Sequence, residues 1–338
     1  KKIMENIKFN KLLDDKYSLM SDIAKKYNYN DELLSMITFI YVAFYLDFGK
    51  EADFPLYDLF NRVKIIYEEG NVSEISDKYG YGKMNAGCAA VTIFTPNFRV
   101  FNNPEEKQNS QVILLGTHVE DYLATPVLKL EMLAHEIRHA LMGYYNTNKL
   151  IDSNTYYMRS GLQETFYKRK DSDNRVTSIA RANTLDEVTN TYITEIIVNR
   201  IMSFTNYDIK NSGLKRYLKS LGTKQPDGRY RAIGYNNEVR LLYPLLLNDM
   251  FINLVNQCEF DGNLDLVKNF IETNTDICSY DDFCKILDEV YNGNNFFAKY
   301  VQEKNMDKIN RHVENINKIK SVVMSIKENL DCSVLKKV

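Results

Sequence analysis

TPVLKLEMLAHEIRHALMG, residues 125–143, reads as a single buried helix. Thr125 is suited to cap it and Pro126 to open it, because a proline in the first turn forfeits no helical hydrogen bond, and Gly143 marks its end. Apolar residues fall on most of its faces, the pattern of a helix enclosed by other elements. Within it, His135-Glu136-Ile137-Arg138-His139 sets two imidazoles one turn apart on one face, so both can reach a single ion. Glu136 stands beside them, where a carboxylate can take a proton from a water polarised by that ion. Zn2+ suits such a donor set, because it accepts imidazole nitrogen and carboxylate oxygen and lowers the pKa of its water to about 7.

The chain has four histidines, so a histidine-acid-x-x-histidine match arises by chance in on the order of one in a hundred chains of this composition. The bland alternative makes His135 and His139 core histidines, but two imidazoles on an apolar helix would each need a polar partner.

Outward from this helix the chain is mostly helical. Leu33, Leu34, Ile37, Ile40, Tyr41 and Phe44, then Leu56, Leu59, Phe60, Val63 and Ile66, repeat at helical spacing, which predicts helices from Asp14 to about Tyr81 and an N-terminal helical lobe over 1–84. Between Gly80 and Gly116 the runs Ala90–Thr95, Arg99–Phe101 and Val112–Leu115 predict a small sheet. Tyr156–Lys168 reads as a hairpin turning at Ser160 and Gly161, followed by the charged loop KRKDSDNR. A second helix is expected from Thr184 through Met202, closing a core over 85–205. The remainder, 206–338, reads as a C-terminal helical lobe. Its last helix carries Ile309, Val313, Ile316, Val323, Ile326 and Leu330 as a packing face for the same chain, with His312 exposed. The fold class expected is α+β, predominantly helical, with a small sheet and the histidine-bearing helix flanked by helical lobes.

Composition narrows the possible partners. The 43 basic residues nearly balance the 45 acidic ones, which leaves no basic field to attract nucleic acid. The longest apolar run, Ile37–Leu46, falls well short of the roughly 20 residues of a membrane span and reads as a core helix. Cys88, Cys258, Cys278, Cys284 and Cys332 form no C-x-x-C pair and read as reduced thiols, compatible with a cytoplasmic protein or with a secreted one lacking disulfides. The opening KIMENIKFNKLL lacks the apolar stretch of a secretory signal.

HEIRH at 135–139, followed downstream by LDEVTNTY at 185–192, resembles the zincin metallopeptidases, and among them the gluzincins. The resemblance spans roughly residues 85–205 and implies a zinc ion held by His135, His139 and Glu187, with Glu136 as catalytic base and a peptide or protein as substrate. It also implies a substrate strand paired to the edge of the small sheet. Glu187 has a competing role, since Thr184-Leu185-Asp186-Glu187 is also a capping box. Glu164 is an alternative third ligand, on a segment that looks like strand or turn, and ALMGYYNTNK after His139 removes a metzincin-type third histidine. His118 precedes the motif. Where the family often has an aspartate orienting the first histidine, this chain has Thr191, with Asn190 beside it, and either can accept the imidazole N–H. Tyr156, Tyr157, Arg159, Tyr230, Arg231 and Tyr235 are the candidates to stabilise a developing oxyanion. The competing functional class is a zincin-like scaffold or regulatory module that binds a protein without turnover.

Overall fold

The computed structural model describes residues 2–49, 53–95, 110–144, 147–170, 175–204, 209–222, 230–231, 234–261 and 263–335. The fold is α+β and predominantly helical, with twelve helices and eight strands among the described residues. By contacts the chain divides into two units. One comprises 1–97, 108–144 and 193–232; the other comprises 98–107, 145–192 and 233–338.

The first unit begins with α1 (Lys2–Tyr27), α2 (Asp31–Phe48) and α3 (Asp53–Arg62). Asn30 caps α2 by accepting the Leu33 amide at 2.8 Å, and every residue from Leu33 to Phe44 is buried, so the long apolar run is a core helix. A four-stranded sheet follows, built from β1 (Lys64–Asn71), β2 (Ala90–Thr95), β3 (Ser110–Val119) and the short β4 (Tyr122–Leu123). Its order is β1-β3-β2, with β1 parallel and β2 antiparallel to β3, and β4 also pairs with β3. Between β1 and β2 lies α4 (Val72–Lys78), opened by a capping box of Asn71 and Glu74. Val72 and Ile75 of α4 pack with Ile66 and Leu114 in one apolar cluster. Gly116 has no side chain for a steric reason: a Cβ there would lie 2.5 Å from the Gly70 carbonyl oxygen of the neighbouring strand. The unit also holds α5 (Pro126–Tyr144), the C-terminal part of α6 (Asn183–Ser203) from Ile193, and α7 (Ser212–Ser220).

In the second unit β5 (Thr147–Asp152), β6 (Thr155–Ser160), β7 (Gln163–Arg169) and β8 (Val176–Arg181) form an antiparallel meander in chain order. Tyr156 and Met158 are its buried centre, with Leu150, Tyr167 and Val176 packed around them. The first part of α6 belongs here, as do α8 (Asn236–Leu246), α9 (Asp249–Asp261), α10 (Asp265–Asn274), α11 (Tyr280–Gln302) and α12 (Met306–Leu335). Helices α11 and α12 pack along each other, and α8 packs on α12.

Several expectations are corrected. The helical reading fails at Ile66: helical spacing stops at Val63, and Lys64–Asn71 is instead strand β1, in register Ile65↔Ile113 and Ile66↔Leu114 with β3. Two adjacent β-branched residues that are both buried suit a strand covered on both faces, where neighbouring side chains point opposite ways. The expected strand at Arg99–Phe101 lies outside the described residues. The hairpin at 155–169 forms as expected, but β5 and β8 extend it to four strands. His312 is buried, 6% exposed, because α11 offers Gly293 as a seat for its ring and the Phe297 ring packs against it, tilted by 46° with centroids 5.5 Å apart. No helix among the described residues is long and apolar enough to cross a membrane.

Candidate metal centre

Helix α5 begins as its sequence demands. The Lys129 amide donates to the Thr125 carbonyl at 3.0 Å, and the Leu128 amide to Thr125 Oγ1 at 3.3 Å. Leu130, Leu133, Ala134, Ile137, Ala140 and Leu141 are wholly buried, and the helix packs on β2 and β3. That burial sets the rotation of the helix, which leaves His135 and His139 only partly covered. Their rings stand at 77° with centroids 4.7 Å apart, and the two Nε2 atoms converge to 3.0 Å. Two nitrogens each about 2.0–2.1 Å from a tetrahedral zinc ion stand about 3.3 Å apart, so this pair is close to the geometry of a shared ion.

Glu187, on α6, is the candidate for a third donor. One ligand atom from each of His135, His139 and Glu187 lies within 4.8 Å of the other two. Two imidazole nitrogens and a carboxylate oxygen are a donor set that fits zinc. The chain matches no protein-family model, no curated protein and no solved structure.

The start of α6 bears on Glu187. The helix opens at Asn183, after Ala182 at a left-handed φ of 57°, and the Asp186 amide donates to the Ala182 carbonyl at 3.0 Å. Thr184 therefore lies inside the first turn, and its amide donates to Asp288 Oδ1 at 2.9 Å. The Thr184–Glu187 capping arrangement suggested by the sequence is replaced by this longer-range bond. Asp186, buried beside Glu187, accepts the Leu162 amide at 2.8 Å and so ties the β6–β7 turn to the helix start. Asn190 and Thr191 follow on the same helix, both buried.

Glu136 is buried and its carboxylate is anchored. Its Oε2 accepts the Thr92 amide of β2 at 2.7 Å and lies 2.7 Å from Thr92 Oγ1. The same hydroxyl is 2.9 Å from the Glu136 carbonyl oxygen. Among the described residues no hydrogen bond reaches Oε1. One turn before His135, buried Glu131 accepts the hydroxyl of Tyr230. Tyr230 is itself clamped to α6, its amide donating to Asn199 Oδ1 at 2.8 Å and its carbonyl accepting from Asn199 Nδ2 at 2.8 Å.

The other sequence candidates have different surroundings. The Tyr157 hydroxyl donates to Glu164 Oε1 at 2.7 Å, and burial together with that carboxylate pushes the Tyr157 hydroxyl above its usual range. Glu164 lies on strand β7, with Lys268 at 3.8 Å. Arg159 donates to the Gly161 carbonyl at 2.7 Å across the β6–β7 turn, and Tyr235 stacks on Tyr291 at 5.2 Å. His118, at the end of β3, has its Nδ1 2.8 Å from Thr117 Oγ1. Thr92 and Glu131 are the residues sequence reasoning did not single out. Glu131 was within reach of it, because 131, 135 and 139 share one helical stripe; Thr92 carries no such signal.

Proposed function

We propose that this protein is a zinc-dependent peptidase of gluzincin type. The observation that carries the reading is the convergence of the His135 and His139 Nε2 atoms at 3.0 Å on the face of α5 beside Glu136, with Glu187 as third donor. Zinc, when bound, supplies a Lewis acid for the scissile carbonyl and acidifies water. His135, His139 and Glu187 hold it. Glu136 accepts a proton from the attacking water and returns it to the departing amine, so the water oxygen ends in the new carboxylate and the peptide C–N bond breaks.

An extended peptide is the substrate class that the sheet favours. Among the described residues β2 pairs with β3 alone. The Thr92 amide points to Glu136, away from β3, and by strand alternation Ala90 and Phe94 present their backbone N–H and C=O groups in that same outward direction.

Elemental analysis of the purified chain, paired with hydrolysis of a peptide library by wild type and Glu136→Gln, tests the reading. One zinc per chain and a loss of at least about 100-fold in turnover are expected. A chain without stoichiometric metal, or full hydrolysis by Glu136→Gln, overturns it.

A further inference from the structure

We infer that Thr92 is a positioning residue for the general base, dividing the two oxygens of Glu136 between an anchoring and a reactive role; the inference rests on the peptidase reading above. A glutamate on a helix has three side-chain torsions to settle, and a carboxylate left to rotate offers either oxygen, or neither, to a water. Here Oε2 is fixed from the sheet. It accepts the Thr92 amide at 2.7 Å and faces the Thr92 hydroxyl at 2.7 Å, short distances of the kind seen when an acceptor is charged.

The amide proton cannot move, because β2 is held by its ladder with β3 through the register Val91↔Leu114, Thr92↔Ile113 and Ile93↔Val112. The single hydroxyl proton is shared between Oε2 and the Glu136 carbonyl, 2.9 Å away, so Thr92 grips both the carboxylate and the helical turn that carries it. Its β-branched side chain is stiff at χ1, which keeps that hydroxyl aimed. What remains is Oε1, with no protein donor among the described residues, as the atom that takes the proton.

Thr92→Val keeps shape and backbone amide while deleting the hydroxyl; Thr92→Ser keeps the hydroxyl. Thr92→Val is expected to lower kcat about 10-fold with KM within about twofold and zinc content unchanged, and Thr92→Ser to recover most of the loss. A Thr92→Val enzyme with full kcat, a loss confined to KM, or a Thr92→Ser enzyme as impaired as Thr92→Val overturns the assignment. A readout without turnover separates this from the peptidase reading. In the wild type the Thr92 amide is expected to exchange slowly with solvent, and in Glu136→Ala, still folded by circular dichroism, to exchange at least about 10-fold faster. Unchanged exchange refutes the anchor itself. Equal hydrolysis by wild type and Glu136→Gln refutes the peptidase reading and leaves the exchange result standing.

Discussion

Gly293→Ala gives a test of the helical packing with a sign that can be worked out beforehand. A Cβ at Gly293 of α11 would lie 2.1 Å from His312 Nδ1, 2.7 Å from Cε1 and 2.9 Å from Cγ. Non-bonded atoms in comfortable contact stand about 3.5 Å apart, so the imidazole must retreat by more than about 1 Å. It has little room to do so, being 6% exposed and packed against the Phe297 ring. Overpacking of this kind costs about 1–3 kcal/mol, and replacing a mid-helix glycine by alanine returns about 1 kcal/mol of helix propensity. The net expectation in the wild type is a loss of up to about 2 kcal/mol. In a His312→Ala background the obstruction is gone, so the same substitution should instead stabilise by about 0.5–1 kcal/mol. The coupling between the two sites is then about 1–3 kcal/mol, measurable by a double-mutant cycle of urea denaturation followed by far-UV circular dichroism. If Gly293→Ala stabilises the wild type, or destabilises both backgrounds equally, the ring does not occupy the space a side chain would need.

Three further predictions address the site and its surroundings. Removing either imidazole, as His135→Ala or His139→Ala, should leave the dialysed chain with clearly substoichiometric zinc by elemental analysis; full occupancy in both variants would mean that the metal sits elsewhere. Tyr230→Phe takes a donor from the buried Glu131 carboxylate and should cost about 1–3 kcal/mol, read as a lower Tm, and an unchanged Tm would show that the bond carries no stability. Burial lowers the pKa of His312, with Glu238 pulling the other way and Arg240, Lys308, Arg311, Lys320 and Glu289 lining the clefts at its ring. The folded value then lies below the unfolded one of about 6.5, so this contribution is complete above that pH and is lost as pH falls through 6.5 toward the folded pKa. Stability of the wild type should therefore drop more between about pH 7 and pH 5 than that of His312→Ala, and parallel pH curves would refute the assignment.

What was legible in the sequence follows from how each signal arises. Helix α5 could be read almost to its ends, because Thr125, Pro126 and Gly143 are local chemistry and the apolar faces of 126–142 are a local pattern. The pairing of His135 with His139 is likewise local, one turn of one helix. Strand β1 was misread because Val63 and Ile66 continue a helical spacing set by Leu56, Leu59 and Phe60, and only pairing with β3, nearly 50 residues further on, makes Ile65 and Ile66 a strand. β8 escaped because most of it is exposed, so burial leaves no alternation to read. The start of α6 was displaced for a similar reason: Asp288, about a hundred residues away in sequence, takes the Thr184 amide that a capping box would have left to Glu187. Thr92 belongs to the same class, since nothing in a run of AVTIFT announces that one amide will hold a carboxylate of α5.

The Thr92 bond also changes how Glu136 discriminates between a peptidase and a scaffold that binds without turnover. A carboxylate beside a metal site has no purpose of its own in a scaffold; with its Oε2 tying α5 to β2, Glu136 has one. The two roles separate by substitution. Glu136→Gln retains an acceptor oxygen for Thr92 while replacing the proton-accepting Oε1 by an amide that cannot take a proton, whereas Glu136→Ala removes both. Thermal stability should then fall only in Glu136→Ala, by about 1–3 kcal/mol for the buried donors it strands. A hydrolase activity depends on the base, so turnover should be lost to a similar extent in both variants. A scaffold function depends on the fold, so partner binding should survive in Glu136→Gln and weaken in Glu136→Ala alone. An activity that tracks stability across the three proteins refutes the peptidase; one that tracks the basic oxygen refutes the scaffold.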